Sequence, residues 1–219
     1  PEPVMPKSDH RETLVVALAA GILLIVLPLL NLLPAEDSWL HLSDFRLNQF
    51  GKFLCFAILA LGLDLIWGYC GVLSLGQGVF FGFGAYCMGM YLSLQIGSES
   101  VYGSELPDFM VWTQVKELPL FWYPFKSFVG GLVGAILVPV LFATLFGFLA
   151  FRSRIKGVYF AIITQALAFA AWLVFNRNET RLGGTNGLTD FKQALGFRLT
   201  DPSTQRGLYI LTVVALCAA

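Results

Sequence analysis

Few side chains in this sequence can do chemistry, and the informative ones interrupt long apolar runs. Asp64 is an acid inside such a run. Ser74 and Gln77 lie in a glycine-rich stretch, Gly68-Tyr69-Cys70-Gly71-Val72-Leu73-Ser74-Leu75-Gly76-Gln77-Gly78, and Thr164-Gln165 stands in the middle of another run. An amide donates and accepts hydrogen bonds at once, and a hydroxyl does the same. Buried without a partner, such a group costs on the order of a few kcal/mol. Each must therefore meet another helix, water or a solute. Amides and hydroxyls in oily surroundings either receive an uncharged polar solute or tie helices together, and both readings stand at Thr164 and Gln165. Asp64 lies about one turn from the end of its run. It either sits at the interface bonding the Gly68–Gly71 backbone or acts as a pathway or gating residue.

The chemistry that is missing narrows the field. His10 and His41 both lie outside the apolar runs, so no intramembrane haem, His-based protease or His proton relay has its ligands. Cys55, Cys70, Cys87 and Cys217 do not pair at metal-ligand spacing. They read as small buried hydrophobes. One carboxylate inside a run does not make a dyad. No Gly-x-x-x-x-Gly-Lys-Ser/Thr occurs, so the chain does not bind ATP by that route. No catalytic residue, metal or cofactor is expected, and the chain is not expected to be an enzyme. Asn178-Glu179-Thr180 matches a glycosylation triplet too loose to carry an argument.

The elements that must position these groups follow from the charges. The 219 residues are 57% hydrophobic and only 13% charged, about half the charge of an ordinary soluble domain. Fourteen basic residues cancel fourteen acidic ones, leaving no basic excess for nucleic acid. Charge is absent from 13–35, 65–98, 127–151 and 157–176. Each stretch is long enough for one helical crossing of a ~30 Å hydrocarbon core. Runs apolar on every face are helices rather than barrel strands of alternating polarity. The expected fold is an all-α, polytopic transmembrane bundle with a Gly-rich broken or re-entrant segment near 68–84. Spans are expected at about 13–33, 50–68, 74–96, 127–150, 157–175 and 207–219. They form one transmembrane domain over 13–219, after a cytoplasmic segment at 1–12.

The first span is too long for a signal-peptide core, and Pro34-Ala35-Glu36 is a poor cleavage site. The chain opens Pro1-Glu2-Pro3 without an initiator Met and stops inside a run at Cys217-Ala218-Ala219, so a fragment of a longer protein is expected. Basic residues in short loops favour the cytoplasm. The cluster Arg152-Ser153-Arg154-Ile155-Lys156 therefore goes inside, with Lys7 and Arg11. Loops 34–49, 97–126 and 176–206 then lie outside. The first two are rich in acids, while the third carries more bases than acids.

Two glycine patterns invite a reading beyond packing. Gly68, Gly71, Gly76 and Gly78 suggest a broken helix whose freed backbone lines a cavity. The spacing of Gly78, Gly82, Gly84 and Met88 equally suits close helix packing through small residues. In the third outer loop, Gly183-Gly184-Thr185-Asn186-Gly187-Leu188 reads as a turn. It either only turns the chain, or also caps the outer mouth of a pathway or meets a docking partner.

The run Gly68–Gln77 resembles permease subunits of bacterial branched-chain amino acid ABC importers, which share a Gly-Tyr-x-Gly turn, then Leu-Ser-Leu-Gly and a His or Gln. Lys156-Gly157-Val158-Tyr159-Phe160-Ala161 and the Gly183–Leu188 motif resemble the same family, in the same order, over about 50–190. Gln77 in place of His, and Ile162-Ile163-Thr164-Gln165-Ala166-Leu167 followed by Asn176-Arg177-Asn178-Glu179-Thr180, are similar to its urea-importing members, the M-type subunit. The resemblance implies a multi-pass protein of the bacterial inner membrane with an alternating-access pathway. It also implies a second homologous permease, two cytoplasmic ATPase subunits and a periplasmic substrate-binding protein, with the loop contacting the ATPases beyond Ala219. Urea offers one carbonyl and two amino groups, which Gln77, Gln165, Ser74 and Thr164 can match without burying charge. The rival substrates are branched-chain amino acids or other amides. A secondary transporter would show more ionisable groups in its spans than Asp64, and a membrane anchor would not need costly polar groups there.

Overall fold

Long charge-free runs can satisfy their backbone only by coiling, and most of the described residues are helical. The computed structural model describes residues 18, 20–33, 38, 40–155 and 157–219. The expected cytoplasmic segment 1–12, the start of the first expected span, His10, Glu36, Asp37 and Lys156 lie outside the described residues. The helices are α1 (Ile22–Leu32), α2 (Asp44–Cys70), α3 (Gln77–Leu94), α4 (Asp108–Trp112), α5 (Phe128–Arg152), α6 (Val158–Phe175) and α7 (Pro202–Ala218). A two-residue hairpin pairs β1 (Gln193–Ala194) antiparallel with β2 (Phe197–Arg198). Among the described residues, α2, α5 and α6 are long and apolar enough to cross a membrane. The fold class is an all-α membrane bundle, interrupted at 71–76 where α2 stops before α3 begins.

The described chain forms two compact units. The first comprises the described residues up to Ile58 together with Thr200–Ala219. Its core is Leu47, Leu54, Tyr209 and Val213, with Leu23, Leu27, Leu42 and Leu216 packed around them. The first turns of α1, Ile22–Val26, are π-helical. In that register the Leu23 carbonyl would need the N–H of residue 28, which is a proline and has none. The Tyr209 hydroxyl donates to the Leu23 carbonyl instead, at 3.0 Å.

Asn31 is a buried amide within α1. Its Nδ2 donates to the Leu42 carbonyl at 2.7 Å and to Asp44 Oδ1 at 2.8 Å. It thereby fixes the carboxylate that opens α2, where negative charge suits the helix dipole. Replacing Asn31 by Leu is expected to cost about 1–2 kcal/mol. Thermal unfolding in detergent should show a lowered midpoint.

The second unit is Leu59–Leu199. Its principal contact is α3 against α5, and small residues set how closely they approach. A Cβ at Gly84 would lie 3.0 Å from the Ala135 carbonyl oxygen, and one at Gly131 3.0 Å from Tyr91 Cβ. Pro139 inside α5 cannot donate to that Ala135 carbonyl. The freed oxygen faces the bare Gly84 backbone. A Cβ at Gly78 or Gly82 would meet no other element within 4 Å, so the small-residue contact with α5 involves Gly84 and not those two. Phe83 completes the joint, edge-on to Phe142 at 4.8 Å and tilted against Phe175 at 5.6 Å. At one end of this unit Cys87, Met90, Met110, Trp122 and Phe125 form a buried cluster. Many apolar side chains of α5, including Val129, Ile136, Leu141 and Leu145, remain exposed. In a membrane protein such faces meet lipid or neighbouring helices.

Candidate functional site

The glycine-rich segment is where the second unit departs from helix. α2 ends at Cys70, and Gly71 follows with φ +63°, its N–H donating to the Trp67 carbonyl at 3.0 Å. A left-handed glycine just past the last helical residue is an ordinary way to stop a helix. The chain then runs without helical structure to Gly76. Its backbone needs partners, and Thr164 on α6 supplies one. Thr164 Oγ1 accepts the Leu75 N–H at 3.0 Å and donates to the Ala161 carbonyl at 2.9 Å. Gly76 lies so close that a Cβ there would come 2.7 Å from the Thr164 carbonyl oxygen. The break is thus seated on α6 by one hydrogen bond and one backbone approach that only glycine permits.

Beside this seat lies a cavity of about 450 Å³. Ser74, Gln77 and Thr164 supply the polar lining, and Ile66, Phe80, Val140, Phe146 and Phe160 are among the apolar walls. No Asp, Glu, Lys, Arg or His borders it among the described residues. Ser74 is 4% exposed and Thr164 1%. The Thr164 hydroxyl has already used its proton on Ala161. The side chains of Ser74 and Gln77 form no hydrogen bond among the described residues, and Gln77 Nε2 sits 3.8 Å from where a Cβ of Gly62 would be. An apolar cavity with a few unspent polar groups is the usual form of a small-molecule site. These groups can donate hydrogen bonds to an uncharged polar solute and accept them from it.

An adjoining cavity of about 410 Å³ shares Cys70, Val72 and Phe151 with the first and extends to Arg154, Ile155 and Gly157. The end of α2 and the basic turn after α5 therefore border one space. Phe151, which lines both cavities, stacks on Phe160 at 5.5 Å.

The structure brings together Ser74, Gln77 and Thr164 of the expected site residues. Gln165, next to Thr164, is exposed and does not border the cavity, and Asp64 is likewise exposed. Of the break glycines, Gly71 turns the chain and Gly76 makes the close approach, while a Cβ at Gly68 or Gly78 would meet nothing within 4 Å. The Gly183–Leu188 motif forms a tight turn elsewhere in the unit. Gly183 has φ +96°, and a Cβ there would fall 2.5 Å from the Gly187 carbonyl group. Leu188 and Phe191 pack against Gly89 of α3. Gln193 Nε2 donates to the Gln95 carbonyl at 3.0 Å. Sequence reasoning missed the cavity's aromatic walls and Pro139. A proline inside an apolar run was a signal there to be read.

Neither a curated protein nor a solved structure matches the chain. A sequence profile does: that of the family described as "Branched-chain amino acid transport system / permease component" covers residues 45–219. That span includes the break, its seat on α6, the cavity and the Gly183–Gly187 turn, and the chain belongs to this permease family.

Proposed function

We propose that the chain is the M-type permease subunit of an ATP-binding-cassette importer of the bacterial inner membrane, and that it forms half of a translocation pathway for urea. It crosses the membrane several times over 13–219 with its N-terminus in the cytoplasm. A second homologous permease completes the pathway, two cytoplasmic ATPase subunits drive it, and a periplasmic binding protein delivers the solute. The chain itself performs no covalent chemistry.

The observation carrying this reading is the Gln77 amide, which borders an uncharged cavity with its hydrogen bonds unspent. An amide can donate to the urea carbonyl and accept from its amino groups. Ser74 adds a hydroxyl, and Thr164 holds the segment that carries both. Gln165 and Asp64 extend the proposed pathway onto faces that a neighbouring subunit covers. A zwitterionic amino acid would bring two charges into walls that offer it no ionic partner. The aliphatic and aromatic lining does favour a second reading, in which a branched-chain amino acid or a larger amide passes.

The test is uptake of labelled urea by cells carrying the full-length gene. Gln77→Leu is expected to reduce it roughly two- to ten-fold, the worth of one net hydrogen bond, with protein level unchanged. Excess leucine should not compete. Urea uptake unaltered by Gln77→Leu removes the amide from the pathway, and competition by leucine moves the assignment to the second reading.

A further inference from the structure

A second cavity in the Leu59–Leu199 unit has different chemistry. It measures about 280 Å³ and lies where the outer turn meets the end of α3 and the start of α4. Asp108 and Asp190 line it, with Tyr102, Phe109 and Trp112 as aromatic walls and Asn186, Thr189 and Ser93 as further polar groups. No Lys, Arg or His is among the residues that line it. Asp190 is already paired, its Oδ1 accepting from Lys192 Nζ at 2.9 Å. Asp108 is not. Its Oδ2 accepts only the Val101 N–H at 3.2 Å, and its Oδ1 is enclosed without any partner. An enclosed carboxylate oxygen with no hydrogen bond is costly to leave so.

We propose that this cavity binds a guanidinium group, the Asp108 carboxyl turning about its Cβ–Cγ bond to bring the enclosed Oδ1 to the ligand. A guanidinium is planar, stacks on aromatic faces and bonds a carboxylate through parallel N–H donors. Aromatic walls attract a cation through their ring quadrupoles, and the Asn186 and Thr189 side-chain oxygens can accept the remaining N–H bonds. Urea has nearly the same shape without the charge and gains nothing from the carboxylate, so this site is separate in chemistry from the uncharged cavity beside Gln77. The Gly183–Gly187 turn then has a use beyond reversing the chain, because it holds Asn186 against the acidic wall. The proposal does not depend on which solute the permease moves.

The test is calorimetric titration of the full-length protein in nanodiscs with methylguanidinium chloride, using methylurea as the neutral control. Saturable methylguanidinium binding is expected, weakened roughly ten-fold or more by Asp108→Asn and weakened also by Trp112→Leu. Asparagine keeps an acceptor for the Val101 N–H, and Trp112 is exposed, so both variants should melt as the parent does. A capped Gly-Arg-Gly peptide separates the sources. Tighter binding than methylguanidinium identifies an arginine presented by a partner protein, and weaker binding identifies a free guanidine compound; both support the site. Absence of saturable binding, equal affinity in Asp108→Asn, or equal binding of methylurea overturns it.

Discussion

Gly76→Ala is expected to destabilise the protein more than alanine at any other glycine of the break. The added methyl would lie 2.7 Å from the Thr164 carbonyl oxygen and 3.3 Å from its carbonyl carbon. Those are backbone atoms of a helix and cannot rotate aside. Relief requires the 71–76 segment to lift off α6, which stretches the Leu75–Thr164 hydrogen bond. Overpacking a well-filled site costs about 1–3 kcal/mol, and with no soft neighbour the upper end applies. The control is Gly78→Ala, two residues on. It meets nothing within 4 Å, and alanine there gains up to about 1 kcal/mol of helix propensity. Thermal unfolding of the purified full-length protein should show a clear fall for Gly76→Ala and none for Gly78→Ala. Equal behaviour of the two would mean the segment does not rest on α6 as described. Solute uptake should follow the same order, because the displaced segment carries Ser74 and leads into Gln77.

The contrast between those two glycines marks how far the sequence can be read. The break itself was legible: four glycines between apolar runs cannot continue a helix comfortably, and α2 does stop at Cys70. Which glycine bears a load was not legible, because the atom that Gly76 approaches belongs to residue 164. Thr164 and Gln165 pose the same problem. Both are polar groups in an apolar run, but that run is apolar on every face, so it has no amphipathic phase to say which side is inward. The structure turns Thr164 inward and leaves Gln165 exposed. Asn31 escaped notice for a related reason. It sits in a charge-free stretch, and its partners Leu42 and Asp44 follow a turn whose geometry composition does not encode. Asp108 was one acid in an acidic loop until the fold set Asn186 and Trp112 beside it.

Thr164→Val tests the hydrogen bond that seats the break, with its shape held constant. Valine is close to threonine in volume and keeps the β-branch that α6 already accommodates, so the approach of Gly76 is unchanged. What disappears is Oγ1, and with it the acceptor for the Leu75 N–H. Thr164 is 1% exposed, so water does not readily replace it there. Orphaning a buried N–H costs about 1–3 kcal/mol. The expected result is a lowered unfolding midpoint and reduced uptake for Thr164→Val, with both restored by Thr164→Ser, which returns the oxygen without the methyl. Gln165→Leu, on the exposed side of the same helix, should leave the midpoint nearly unchanged, since surface substitutions usually fall within about 0.5 kcal/mol. If valine and serine behave alike, the oxygen is not what holds the segment. If valine lowers uptake without lowering the midpoint, the hydroxyl acts on the solute directly, and Thr164 joins Gln77 as a lining group instead of a support.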